Sequence, residues 1–221
     1  MRVDLFLVGW SGMVGALMVP TIEPFLALYG GVLRTSGFAR AAMYALVIAP
    51  FVAVWVATGA AAWALLVWSE GDPLARGGLI AIAGIYQLSP LSRICLAGCR
   101  SPIGFLLRYG TRAGTPRGAL ELGGRYALIC LGCCAGLWIA FVGAGAMSLT
   151  WMAALALLVF VQKWHGHGEA FARAAGVVLL ILAVPTALGA EMLTEQSGLA
   201  ALVLLAIAAA SALRLRHPAV A

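Results

Sequence analysis

The chain has 221 residues, 63% of them hydrophobic and 10% charged, with a mean hydropathy of +1.02. A soluble domain of this size keeps roughly a quarter of its residues charged to supply a polar surface, so this composition excludes an ordinary soluble fold. The formal charge of +6 then reflects loop placement across a bilayer rather than a nucleic-acid partner.

The expected fold is all-α: a polytopic transmembrane helical bundle of about seven spans, forming one integral membrane domain over 1–221. A crossing helix needs roughly 20 mainly apolar residues. The first span, 5–33, lacks a small-residue cleavage site and is expected to be retained rather than removed as a signal peptide. Pro20 and Pro24 interrupt it. Proline removes a backbone donor and clashes with the preceding turn, so kinks are expected there. Between them stands Glu23, the one carboxylate well inside a span. By default such an acid is functional and faces the bundle interior; the packing alternative is an ion pair to Arg93 or Arg125. Met18 offers a soft thioether suited to Cu(I). It lies five residues before Glu23, about 140° around a regular helix.

The second span, 41–68, contains Pro50, and the third, 77–96, carries Tyr86 and Gln87 near its middle. Gln87 is expected to hydrogen-bond across helices. Cys95 and Cys99 follow, four apart, and so share a helix face. In the loop 97–125, the apolar stretch Ile103–Tyr109 lies between Arg100 and the arginine inside it, Arg108. It reads equally as a short interfacial or re-entrant helix or as a solvated loop.

The fourth span, 126–146, opens on Cys130-Leu-Gly-Cys133-Cys134. Separations of three and four residues allow these sulfurs a common side. If the helix enters the bilayer near Tyr126, Cys130 lies about 6 Å deep; if near Gly118, about 18 Å. Whether the two cysteine groups form one site depends on that entry point. Thiolates suit Cu(I), Zn(II) or iron–sulfur chemistry, while a free cysteine is equally a small buried hydrophobe. The spacing matches neither a zinc ribbon nor a ferredoxin.

The fifth span, 148–164, follows almost at once, with a tight turn expected at Gly143 and Gly145. His165 and His167, flanked by glycines, read as a solvated turn, and Met147 and Met152 as packing. Spans 171–190 and 198–213 complete the set. Every lysine and arginine except Arg2 and Arg76 falls on one side of this arrangement. The positive-inside rule makes that side cytoplasmic, with the N-terminus out and the C-terminus in.

No phosphate loop, dinucleotide glycine motif, nucleophile elbow or His-Glu-x-x-His is present, so none of these enzyme classes is indicated, and the chain is expected not to be an enzyme. Three segments carry a family likeness: Met18-Val-Pro-Thr-Ile-Glu-Pro24; Tyr86-Gln-Leu-Ser-Pro-Leu-Ser-Arg93, continuing to Cys95-Leu-Ala-Gly-Cys99-Arg-Ser-Pro102; and Cys130 to Cys134, followed by Met147 and Trp151-Met152. In these the chain resembles a bacterial family described as predicted metal-binding integral membrane proteins of unknown function. The resemblance implies a helical bundle with a metal site at Cys95, Cys99, Cys130, Cys133 and Cys134. Leu17, Thr21 and Gly98 depart from that family's usual methionine, serine and polar residue, and Glu23 is not a usual feature of it.

These readings together lead to an expectation of transition-metal handling in a bacterial inner membrane. Cu(I), or alternatively Zn(II), would be held by the cysteines with Met18 and Glu23 as further ligands, for delivery to a membrane metalloenzyme. The competing expectation is a non-catalytic accessory subunit of a larger membrane complex.

Overall fold

The computed structural model describes residues 2–144, 149–190 and 195–214, and every regular element among them is helical. In chain order these are α1 (Val3–Val32), α2 (Gly37–Ser69), α3 (Pro73–Leu88), α4 (Pro90–Arg100), α5 (Pro102–Tyr109), a 3-10 turn (Gly110–Arg112), α6 (Pro116–Gly143), α7 (Leu149–Trp164), α8 (Gly168–Ala187) and α9 (Glu195–Arg214). Gly145 and Met147 lie outside the described residues.

One local signal sets four of the helix starts. Asp72, Ser89, Ser101 and Thr115 each precede a proline that is the first residue of a helix. Proline suits that position because its missing N–H has no helical partner there and its φ is already helical. The preceding side chain caps the free amides. Asp72 Oδ1 accepts from the Leu74 and Ala75 amides (2.9 and 3.2 Å), Ser89 Oγ from Ser92 (3.2 Å), Ser101 Oγ from Gly104 (3.3 Å) and Thr115 Oγ1 from Gly118 (3.1 Å).

Two sequence expectations change accordingly. The third span is not one continuous helix: it breaks between α3 and α4 with a bend of 63°. Ser89 is extended there (φ −70°, ψ 153°), as expected for a residue whose helical conformation is disfavoured by the proline that follows. The fourth helix begins at Pro116, ten residues before the expected start, so most of the loop 97–125 is helical. Four helices are long and apolar enough to cross a membrane (α1, α2, α6 and α8), and the bent α3–α4 pair makes a fifth if taken as one span.

The chain divides into two compact units, residues 1–64 with 94–133 and residues 65–93 with 134–221. In the first, Phe6 meets Trp63 at 5.3 Å between ring centroids, and Trp10 Nε1 donates to Thr58 Oγ1 (3.2 Å). Gly123 lets α6 close on α2, since a Cβ there would collide with the Val47 carbonyl. Its interior is a run of rings in which Phe25 stacks on Tyr126 at 4.3 Å, with Phe105 and Phe51 at 5.2 and 6.2 Å from Tyr126.

The second unit brings helix backbones together at several glycines. Added Cβ atoms at Gly84 and Gly176 would lie 2.9 and 3.1 Å from each other's carbonyl oxygen, and one at Gly77 would lie 2.5 Å from Ala187 Cβ. Around these contacts Ile80, Ala83, Ala140, Leu179 and Ala183 form a buried cluster. Gln87 and Gln162 are buried within the unit, and Gln87 Nε2 donates to Gln162 Oε1 (3.3 Å). This is the interhelical bond expected of Gln87.

Candidate metal centre

Three sulfurs converge inside the first unit. The Sγ atoms of Cys99, Cys130 and Cys133 all lie within 4.8 Å of one another, and all three residues are buried. Helix periodicity places two of them: Cys130 and Cys133 are one turn apart on α6 and so lie on one side of it. Cys99 comes from α4. A glycine at 98 permits this approach, because a Cβ there would already press Ile129 Cγ2 at 3.3 Å.

A fourth sulfur borders the group. Met18, buried on α1, brings Sδ to 3.9 Å from Cys130 Sγ. Thr21 fixes that residue, donating to the Met18 carbonyl at 2.8 Å with its Oγ1 also 3.7 Å from Sδ. Tyr126, one turn before Cys130 on α6, has its hydroxyl 3.5 Å from the Thr21 carbonyl. The sequence reading named Met18 but neither Thr21 nor Tyr126 as its support. Spacing on α1 contained part of that signal, since Thr21 sits one turn after Met18.

The donor set suits a soft ion. A metal–thiolate bond of about 2.3 Å puts two coordinated sulfurs at most about 4.6 Å apart, close to the separations here. Softness then selects among metals, and thiolate with thioether favours Cu(I). Charge acts in the same direction. Negative charge gathered at a buried centre is costly. Two thiolates on Cu(I) leave one negative charge and three leave two, whereas the Met18 thioether adds a ligand without adding charge.

The other expected ligands are not members of this group. Cys95, half-buried on α4, and Cys134, buried on α6, are outside the three-sulfur group. Glu23 is exposed, not turned to the interior as expected, while Met18 on the same helix is buried. The angular offset between positions 18 and 23 accounts for that difference. Neither anticipated ion pair to Glu23 is present among the described residues. Arg93 lies 3.6 Å from Glu169, and the Arg125 guanidinium sits over the Tyr109 ring at 5.2 Å. In the turn between α7 and α8, the His167 amide donates to His165 Nδ1 (3.1 Å).

Comparison with curated proteins and with solved structures finds no match. Comparison with protein families matches residues 7–186 to PpoB2, described as a copper chaperone. That range takes in Met18, Cys99, Cys130 and Cys133, and it covers most of the chain. The chain therefore belongs to the PpoB2 copper chaperone family.

Proposed function

We propose that this chain is an integral membrane copper carrier that takes Cu(I) on Cys99, Cys130 and Cys133, with Met18 as an auxiliary ligand. The ion is cargo, handed to a membrane metalloenzyme, and the chain performs no catalysis of its own. The observation that carries this reading is the convergence of three buried cysteine sulfurs within 4.8 Å in a chain of the copper chaperone family. Binding requires the thiols to lose protons, and hand-off requires a recipient that supplies its own donors.

The long apolar helices support a membrane location, which on this reading is the bacterial inner membrane. Counting α7 and α9 with the longer helices and the bent pair gives seven crossings, with the N-terminus outside and the basic loops in the cytoplasm. Exposed Glu23 on an apolar helix favours a protein partner against that face, because lipid solvates a carboxylate poorly.

The test is metal analysis of the chain purified under reducing conditions after expression with copper and zinc. Beside it runs a variant with Cys99, Cys130 and Cys133 changed to serine, its helicity checked by circular dichroism. Copper near stoichiometric in the parent and absent from the folded variant is the expected result. Equal copper in both would remove the site assignment, and zinc in place of copper would remove the cargo.

A further inference from the structure

Away from the sulfurs, the first unit has a second built feature. A cleft of about 280 Å³ lies where α5, the 3-10 turn and α6 meet, lined by Arg108, Tyr109, Arg112, Gly118, Glu121 and Arg125 among others. Its walls are fixed locally. Thr115 Oγ1 donates to the Arg112 carbonyl (2.9 Å) while capping α6, and a Cβ at Gly118 would collide with that same carbonyl.

The charge in this cleft is unbalanced. Glu121 is taken by Arg117 (3.2 Å), which leaves Arg108, Arg112 and Arg125 with no carboxylate partner among the described residues. Two of these guanidiniums share one ring, Arg108 at 5.5 Å and Arg125 at 5.2 Å from the Tyr109 centroid. Cation–π contact orients them but does not neutralise them. Three cations around one polar cleft match an anion that offers several acceptor oxygens, and guanidinium favours phosphate because its planar fork binds two oxygens at once.

The rim identifies which phosphate. On α5, Phe105 is buried while Ile103 is 59% and Leu107 80% exposed, so this short helix presents apolar side chains outward beside Arg108. That is the pattern of a helix lying in a membrane interface, and basic pockets at such depths take anionic headgroups. We propose that this cleft binds the phosphate of an anionic phospholipid whose acyl chains lie along Ile103 and Leu107. The proposal rests on the membrane reading above but not on the copper assignment. A lipid held there pins the start of α6 to the bilayer surface. Cys130, five residues after Arg125, then sits roughly 7.5 Å further along the helix.

The test uses the full chain in nanodiscs of phosphatidylcholine mixed in equal parts with phosphatidylglycerol. After extraction, the retained lipids are quantified by native mass spectrometry. Phosphatidylglycerol is expected to be retained selectively, and Arg112→Gln or Arg125→Gln to reduce that retention roughly tenfold each, as loss of one charged hydrogen bond would. The copper content of the same samples is expected to stay unchanged, which separates this site from the thiolate site. Equal retention of the two lipids by the unaltered chain would overturn the proposal whether or not the variants fold. So would displacement of phosphatidylglycerol by inorganic phosphate at matched concentration, which would make free phosphate the ligand.

Discussion

The two units fill their interiors in opposite ways. The first is packed with rings and sulfur: Phe25 on Tyr126, Met18 beside Cys130, and Cys99 brought to Cys133. The second relies on small residues: Gly84 and Gly176 set backbone against backbone, Gly77 meets Ala187, and a cluster of aliphatic side chains fills the space around them. Close approach of small residues is how helices associate tightly where lipid supplies no hydrophobic drive. Sulfur and aromatic side chains are polarizable and adjust to what lies among them, which suits the first unit to the ion proposed for it. Their buried polar groups differ too: the amide pair Gln87 and Gln162 lies in the second, and the three clustered thiols lie in the first.

The strongest way to break this contrast is through the cysteines. Cys130→Ser is expected to cost more than the roughly hundredfold that loss of a supporting partner costs a metal site, read as copper retention against a competing chelator. Gln87→Leu in the second unit should leave retention unchanged. Copper lost equally from both variants would mean that the units are not functionally distinct.

Packing gives the next largest effect. Gly77→Val must push Ala187 away and is expected to lower stability by about 1–3 kcal/mol, the usual cost of overpacking. Gly12→Ala in α1, with no neighbour within 4 Å of the new Cβ, should stabilise by up to about 1 kcal/mol through helix propensity. Thermal unfolding in detergent measures both, and a well-tolerated valine at 77 would deny the second unit its rigid packing. The smallest effect sharpens the contrast within the first unit. Met18→Leu preserves volume and should weaken copper retention only a few-fold, whereas Cys95→Ser should not change it. Equal losses from these two variants would move Cys95 into the site.

Much of the fold was legible because hydrophobic length is a robust signal, and each predicted span overlaps helix among the described residues, the third with a break at Ser89. The breaks were less so. Reading Ser89-Pro90 as the interior of a span missed its meaning, although Asp72-Pro73, Ser101-Pro102 and Thr115-Pro116 repeat the same cap-and-proline pattern in the same chain. At the site, i to i+3 spacing anticipated the pairing of Cys130 with Cys133. It could not select Cys99 over Cys95, because that choice depends on how α4 is rotated after the break, a tertiary quantity. Glu23 failed as an interior residue for a related reason. A polar residue inside an apolar run invites burial on energetic grounds, but its direction is set by the helix phase that also buries Met18.

The break before α4 has a further consequence for the order in which ligands let go. Cys130 and Cys133 ride on one helix of 28 residues, so their separation is fixed by the helical repeat. Cys99 rides on an 11-residue segment bounded by Ser89-Pro90 at one end and Ser101-Pro102 at the other. Its position is therefore set independently of theirs. On the carrier reading proposed above, Cys99 would be the ligand to yield first to an incoming donor, while Cys130 and Cys133 would still hold the ion.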